Sequence, residues 1–233
     1  MNIQCIGSGS AGNAYLLEDG NTSILLECGL QFRKIQEAIG FHMSDIKGCL
    51  ITHEHQDHCR SVKKLMDRGV DVYCTAGTAQ VLGILDNPYC NSLPAYQDIF
   101  NIGTLRISAF PTVHDAIEPC GYVIYSTITR EKLLFLTDTK YCTYSFSGIT
   151  HIMIECNYDD ETFDKSECPL SLKKRILNSH MSLKNCIHFL THVNNDFSKV
   201  DTIYILHLSD RNSDEERMKR KVAEATGKIV VVF

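Results

Sequence analysis

The sequence lacks any apolar run approaching the ~18 residues that a membrane-spanning helix needs, so no membrane is expected among its partners. Its first residues, Met1-Asn2-Ile3-Gln4-Cys5, have neither the basic n-region nor the long apolar h-region of an export signal, which points to a cytoplasmic protein. No CxxC pair occurs among the eleven scattered cysteines, an odd number. In a cytoplasm these read as reduced thiols, mostly buried as small apolar residues. An excess of positive charge is missing as well. With a formal net charge of −5 the chain has no global attraction for nucleic acid, so any affinity for phosphate must come from metals and local patches. There is no linker, repeat or low-complexity segment, and 44% apolar with 22% charged residues describes a globular protein.

What the chain does have is Leu50-Ile51-Thr52-His53-Glu54-His55-Gln56-Asp57-His58, four metal-binding side chains in an HxHxDH pattern. The preceding apolar run, Gly48-Cys49-Leu50-Ile51, is short enough for a buried strand. The cluster then falls just past a strand's C-terminal end, where loops carry chemistry. Side chains two apart in an extended segment share a side, so His53 and His55 can grip one cation together. Asp57 and His58 open a helix expected over 57–68, with Val62, Leu65 and Met66 facing in and Lys63, Lys64 and Asp67 in water. The turn at its start aims them differently. Two pairs with two aims suit two adjacent ions better than one, and a carboxylate with three neutral imidazoles suits Zn, Mn or Fe.

Upstream, strands are expected over 3–6, 13–18 and 22–28, the last ending near Glu27. Gly7-Ser8-Gly9-Ser10-Ala11-Gly12 between the first two is a literal GxGxxG, but a strand follows where a dinucleotide fingerprint needs a helix. Its glycines either let backbone approach a substrate phosphate or make a plain tight turn. Downstream, a short amphipathic helix is expected over 31–40 and a loop over 88–94. His114 follows a strand over 105–110, Asp138 follows Leu133-Leu134-Phe135-Leu136, and His207 follows a strand over 200–206. Helices over 170–178 and 182–193, the second capped by Ser182, leave His180 in the loop between them, free to point into a site. Lys173, Lys174, Arg175 and Lys184 surround it in sequence as a local positive patch. His151, Glu155 and Asn157 flank a strand over 152–155 and read as structural or supporting, and His188 with His192 as ordinary histidines. Arg217, Lys219, Arg220 and Lys221 read as the solvated face of a helix over 215–225.

HxHxDH followed later by a His, an Asp and a His resembles the signature of the metallo-β-lactamase-fold hydrolases, and the resemblance covers nearly the whole chain. It implies one domain over 1–233 with that α/β fold, an αββα four-layer sandwich with metals at one edge. It implies that His53, His55 and His114 hold one divalent ion, Asp57, His58 and His207 the other, and that Asp138 bridges them. Members usually carry Asp where Glu27 stands, holding a ligand-bearing loop from behind; here the side chain is one methylene longer. GSGSAGN, HEHQDH, PTVHDA, LTDT, HMS and HLSDRN together are similar to the small single-domain WalJ/YycJ-type subgroup, bacterial or phage proteins associated with DNA exonuclease activity from 5′ ends. The interval from Asp138 to His207 is too short for the inserted domain of the β-CASP nucleases.

The resemblance implies a mechanism in which water bridging two divalent cations becomes a hydroxide nucleophile near neutral pH. Asp57 takes its proton, and the metals neutralise charge on the attacked group. His180 looks like the auxiliary histidine of the superfamily's phosphodiesterases, which contacts the phosphate and protonates the leaving oxygen. The expectation is a two-metal phosphodiesterase with nucleic acid, DNA before RNA, as substrate. A glyoxalase-like thioesterase or lactonase would share the ligands without needing His180, and a metal-stabilised binding module would not need Asp57 as a base.

Overall fold

The computed structural model describes the chain apart from Pro94, Ala95, Gln97, residues 166–168, Asn195, residues 210–212, and the side chains of Asp164 and Lys165. The Asp210-Arg211-Asn212 end of the HLSDRN motif therefore lies outside the described residues, as do Pro94 of the expected loop and Cys168. Two compact units emerge, Met1–Pro111 with Ala116–Glu131, and Thr112–Asp115 with Lys132–Phe233.

The first unit opens with six strands in sequence order: β1 (Asn2–Gly7), β2 (Ala14–Glu18), β3 (Ser23–Leu26), β4 (Ile46–Leu50), β5 (Val72–Cys74) and β6 (Cys90–Ser92). β1 to β3 pair antiparallel and β3 to β6 parallel. The edge strand β1 alternates in exposure, whereas Leu25, Cys49, Leu50 and Val72 are fully buried, the continuous apolar pattern of parallel strands covered on both faces. Three further strands, β7 (Ile99–Ile102), β8 (Leu105–Pro111) and β9 (Cys120–Ser126), form an antiparallel meander. The loop expected over 88–94 contains β6, a three-residue strand too short and too polar (Cys90-Asn91-Ser92) for periodicity to reveal; it forms by pairing with β5.

Asp19, in the β2–β3 turn, ties these strands together. Its Oδ1 accepts from the backbone N–H groups of Asn21 and Thr22 at 3.1 and 2.9 Å. Oδ2 accepts from the hydroxyls of Thr104 and Ser126 at 2.7 and 2.6 Å. Burial alone would raise its pKa, but these four bonds outweigh it and hold the carboxyl below its ordinary range. A carboxyl depressed in the folded state contributes stability that is present above the unfolded pKa of ~3.9 and lost as pH falls through the lower folded value. Asp19→Ala should therefore cost about 2–4 kcal/mol in urea unfolding at pH 7, since a charged acceptor leaves and buried donors stay. The gap to wild type should shrink below about pH 4.

The helix expected over 57–68 is two short helices, Gln56–Cys59 and Val62–Met66. Ser61 interrupts it. Its N–H goes to the Cys28 carbonyl at 3.0 Å and its hydroxyl to the Leu30 carbonyl at 2.6 Å, so the ladder breaks for two bonds to a distant segment. The expected facing holds, with Val62, Leu65 and Met66 buried and Lys63 and Lys64 exposed.

In the second unit β10 (Lys132–Leu136), β11 (His151–Glu155), β12 (Thr202–Leu206) and β13 (Ile229–Val232) are parallel throughout. Leu134 lies opposite Ile152, Ile152 opposite Ile203, and Ile203 opposite Val230. The register sets the C-terminal ends of β10, β11 and β12 side by side. Helices Leu170–Ser179 and Leu183–His188 match the expected pair, although the second continues as a π-turn over Phe189–Val193. Helix Asp160–Lys165, a single polar turn and a half, was not expected. On helix Glu215–Thr226, Arg217 is not a solvated cation: it pairs with Asp159 at 3.2 Å and with Glu161 at 2.5 Å. Among the described residues no helix is long and apolar enough to cross a membrane.

Candidate metal centre

In the first unit the HxHxDH residues gather around a folded-back backbone. His53 and His58 are buried, His55 and Asp57 half-buried. His53 Nε2 and His55 Nδ1 approach to 3.0 Å, and the His53 and His58 ring centroids stand 4.2 Å apart. The same-side placement expected for His53 and His55 is thus what the backbone produces. His58 Nε2 lies 3.6 Å from Asp57 Oδ2. Thr52 Oγ1 meets His53 Nδ1 at 2.9 Å, which orients that ring with Nε2 toward His55.

Two segments hold this loop. Glu27, fully buried just past β3 and at φ 63°, accepts from the Thr52 N–H at 3.2 Å and lies 3.6 Å from His58 Nδ1. The longer carboxylate thus reaches both the Thr52 N–H and the ring of His58. The glycine-rich turn supplies the other hold. Asn13, buried at its end, donates its backbone N–H to the Asp57 carbonyl at 2.7 Å, and its amide nitrogen lies 3.2 Å from His58 Nε2. Gly29 makes the approach possible: a Cβ there would stand 1.6 Å from the Asp57 carbonyl oxygen. The glycines of this turn stand out in the sequence, whereas the role of Asn13 does not, because its contacts join residues far apart in the chain.

In the second unit the donors sit where parallel strands end. Asp138 follows β10, Glu155 ends β11 and His207 follows β12, all buried. Asp138 and His207 adopt φ of 38° and 57°, left-handed values that a non-glycine residue holds only when its surroundings over-determine them. Such outliers cluster at functional sites. His207 Nδ1 lies 3.3 Å from Asp138 Oδ1, and Asn157 donates to the His207 carbonyl at 2.9 Å. His114 gives its Nδ1–H to the Ser179 carbonyl at 2.7 Å, since a carbonyl can only accept. Its Nε2 then carries the lone pair, 3.6 Å from Asp138 Oδ2. Burial above all lowers the His114 pKa, which favours the neutral ring a metal requires.

His180 caps the end of helix Leu170–Ser179 and turns back into this group. Its Nδ1 is 2.6 Å from Glu155 Oε1 and 3.9 Å from Asp138 Oδ2. Burial alone would lower its pKa; the Glu155 and Asp138 carboxylates outweigh that and raise it, so the ring holds its proton to higher pH than a free imidazole does. Glu155 braces the group from behind. Fully buried, it also accepts from the backbone N–H groups of Thr139 at 2.8 Å and Met181 at 3.2 Å. The available signal was its place at the end of a buried apolar strand, the position that marks Asp138 and His207.

One donor atom each from Asp138, Glu155, His180 and His207 lie within 4.8 Å of one another. Of these, Asp138 and His207 offer a carboxylate and a borderline imidazole that fit a divalent cation, while Glu155 and His180 are already paired with each other at 2.6 Å. In the first unit the converging His53 and His55 nitrogens suit the same kind of ion. The expected patch is partly used up. Arg175 pairs with Asp115 at 2.9 Å and Lys173 donates to the Phe163 carbonyl at 3.2 Å, while Lys174 and Lys184 are exposed. Away from the donors, burial pushes the Cys59 and Cys120 thiols up to about 12, so both stay un-ionised.

Imidazoles and carboxylates gathered past the ends of buried strands define an α/β protein equipped to hold divalent metal. The chain belongs to the beta-lactamase superfamily, whose domain model matches residues 22–207. It is 30% identical to the exodeoxyribonuclease WalJ of Streptococcus pneumoniae over 91% of this chain and 82% of that one. To the exodeoxyribonuclease YycJ of Bacillus anthracis it is 27% identical over 96% and 88%. The crystal structure of the metallo-beta-lactamase fold protein YhfI from Bacillus subtilis superposes with a TM-score of 0.73 at 14% identity, covering 99% of this chain and 95% of that one. The metallo-β-lactamase fold expected from the sequence is the fold of this chain.

Proposed function

We propose that the chain is a two-metal phosphodiesterase acting on nucleic acid, a DNA exonuclease that works from 5′ ends. His53, His55 and His114 would hold one divalent ion, Asp57, His58 and His207 the other, with Asp138 shared and Zn or Mn as the metal. Both relatives named above are exodeoxyribonucleases, and the donor chemistry in each unit suits such ions. When bound, the ions supply Lewis acidity that neutralises a phosphoryl group and acidifies water.

The observation that carries the phosphodiester reading is His180, 2.6 Å from Glu155 and 3.9 Å from Asp138. A leaving alkoxide needs a proton, and an imidazole that spends Nδ1–H on a carboxylate keeps a second proton on Nε2 to give. Glu155 orients the ring and favours its charged form. Asp57, half-buried, would take the proton of the attacking water. Glu27 and Asn13 hold Asp57 and His58 in position from two sides. A thioester, whose thiolate departs without a proton, would leave the His180–Glu155 pair without a task.

Wild-type protein supplied with Mn or Zn should hydrolyse 5′-phosphorylated single-stranded DNA and a generic phosphodiester, and should leave a thioester and a lactone intact. Hydrolysis of either of the latter, with no phosphodiester turnover by the metal-loaded protein, would overturn the reading.

A further inference from the structure

Between β10 and β11 the chain runs from Thr137 to Thr150 without helix or strand. Irregular connections of this length in a compact unit are usually functional. Its first half is nevertheless tied down. The Thr139 N–H goes to Glu155 at 2.8 Å, and the Val113 N–H goes to the Thr139 hydroxyl at 3.0 Å. The Lys140 N–H reaches the Val113 carbonyl at 2.8 Å, and the Asn185 amide reaches the Lys140 carbonyl at 3.2 Å. The Thr139 hydroxyl also donates to the Tyr141 carbonyl at 2.8 Å. On this braced backbone the Tyr141 side chain stands out, with 47% of the residue exposed.

We propose that Tyr141 is a stacking platform for a nucleobase of single-stranded substrate, next to the phosphate being cut. The inference rests on the phosphodiesterase reading and deepens it by naming a residue that grips the strand. Three observations carry it. Tyr141 is three residues past Asp138, so their Cα atoms are within roughly 10 Å even if the chain is fully extended. That is the distance scale of a neighbouring nucleotide. The backbone that carries the platform is tied down before binding by the bonds above at Thr139 and Lys140, which lowers the entropy lost when a base stacks on the ring. Lys140 adjoins Tyr141 in a chain of net charge −5, and two more cations belong to the segments that Lys140 contacts. Lys140 Nζ donates to Asn178 Oδ1 at 3.4 Å; exposed Lys174 lies one turn before Asn178 on the same helix face, and exposed Lys184 adjoins Asn185. Aromatic faces with flanking cations are how proteins hold single strands without reading sequence.

The test is binding of two fluorescently labelled, 5′-phosphorylated single strands with cleavage-resistant phosphorothioate links, one with bases and one fully abasic, read by anisotropy in the presence of Mn, with hydrolysis followed on ordinary phosphodiester strands. Wild type should prefer the strand with bases by roughly 10-fold, the scale of one stacked base. Tyr141→Ala should lose that preference while retaining weaker, salt-sensitive binding of both, and Tyr141→Phe, which keeps the ring, should restore it. Equal binding of the two strands by wild type, failure to bind either, or an undiminished preference in Tyr141→Ala would overturn the inference. Wild-type hydrolysis of the ordinary base-bearing strand is scored separately. Binding with base preference but no cutting of the ordinary strand would sink the phosphodiesterase reading and leave the platform standing.

Discussion

Replacing His180 with alanine is expected to slow hydrolysis of a DNA phosphodiester by roughly 10²–10⁴-fold, the range of a single general acid, with metal content unchanged. The effect should depend on the leaving group. A sugar alkoxide needs a proton in the transition state, whereas p-nitrophenolate is a stable anion, so the deficit should be far smaller on a p-nitrophenyl diester. Equal losses on both substrates would mean that His180 holds the site together and donates no proton. Glu155→Gln gives a companion readout. The neutral amide removes the nearest charge that raises the His180 pKa against burial, so the ring loses its proton at lower pH and the alkaline limb of the rate profile moves down. Glu155 is a positioning residue in this account. The profile shift, and not the size of the rate loss, is what a merely structural role would fail to produce.

Asp138→Asn is expected to be the most damaging change to metal loading. As the proposed shared carboxylate, Asp138 would contribute to both ions, and losing transition-state charge stabilisation worth several kcal/mol corresponds to a rate loss of roughly 10³-fold. Its effect on the metal-free fold should run the other way. Asp138 and Glu155 are buried near one another, and the Asp138 charge raises the energy of ionised Glu155. The amide removes that repulsion, so in the presence of chelator the variant should unfold at the same or higher urea than wild type. Added Mn or Zn should stabilise wild type strongly and the variant weakly, because only a ligand that binds the native state shifts its unfolding. A variant that is destabilised without metal, and rescued by metal as fully as wild type, would assign Asp138 a structural role.

Much of this arrangement was legible in the residues. HxHxDH after Gly48-Cys49-Leu50-Ile51, Asp138 after Leu133-Leu134-Phe135-Leu136 and His207 after a run of similar character all sit past strand ends in the structure, because a buried parallel strand announces itself as a short apolar run. The break at Ser61 was not legible. Local periodicity favoured one helix, and the bonds that interrupt it go to Cys28 and Leu30, which no local pattern places nearby. β6 escaped for a related reason, since three polar-leaning residues become a strand only when β5 lies alongside.

By itself the sequence determined the kinds of donor, their order, and their positions at strand ends, since these depend on residue chemistry and on alternation within a few residues. Only the tertiary structure decided which donors face each other. Glu155 meets His180 because the register of β10, β11 and β12 brings the strand ends level and the helix ending at Ser179 turns His180 back toward them. Asn13 and Glu27 reach the His53–His58 loop because Gly29 leaves room for two backbones to touch. Strand register and close backbone packing are relations between residues remote in the chain, and a single sequence does not state them.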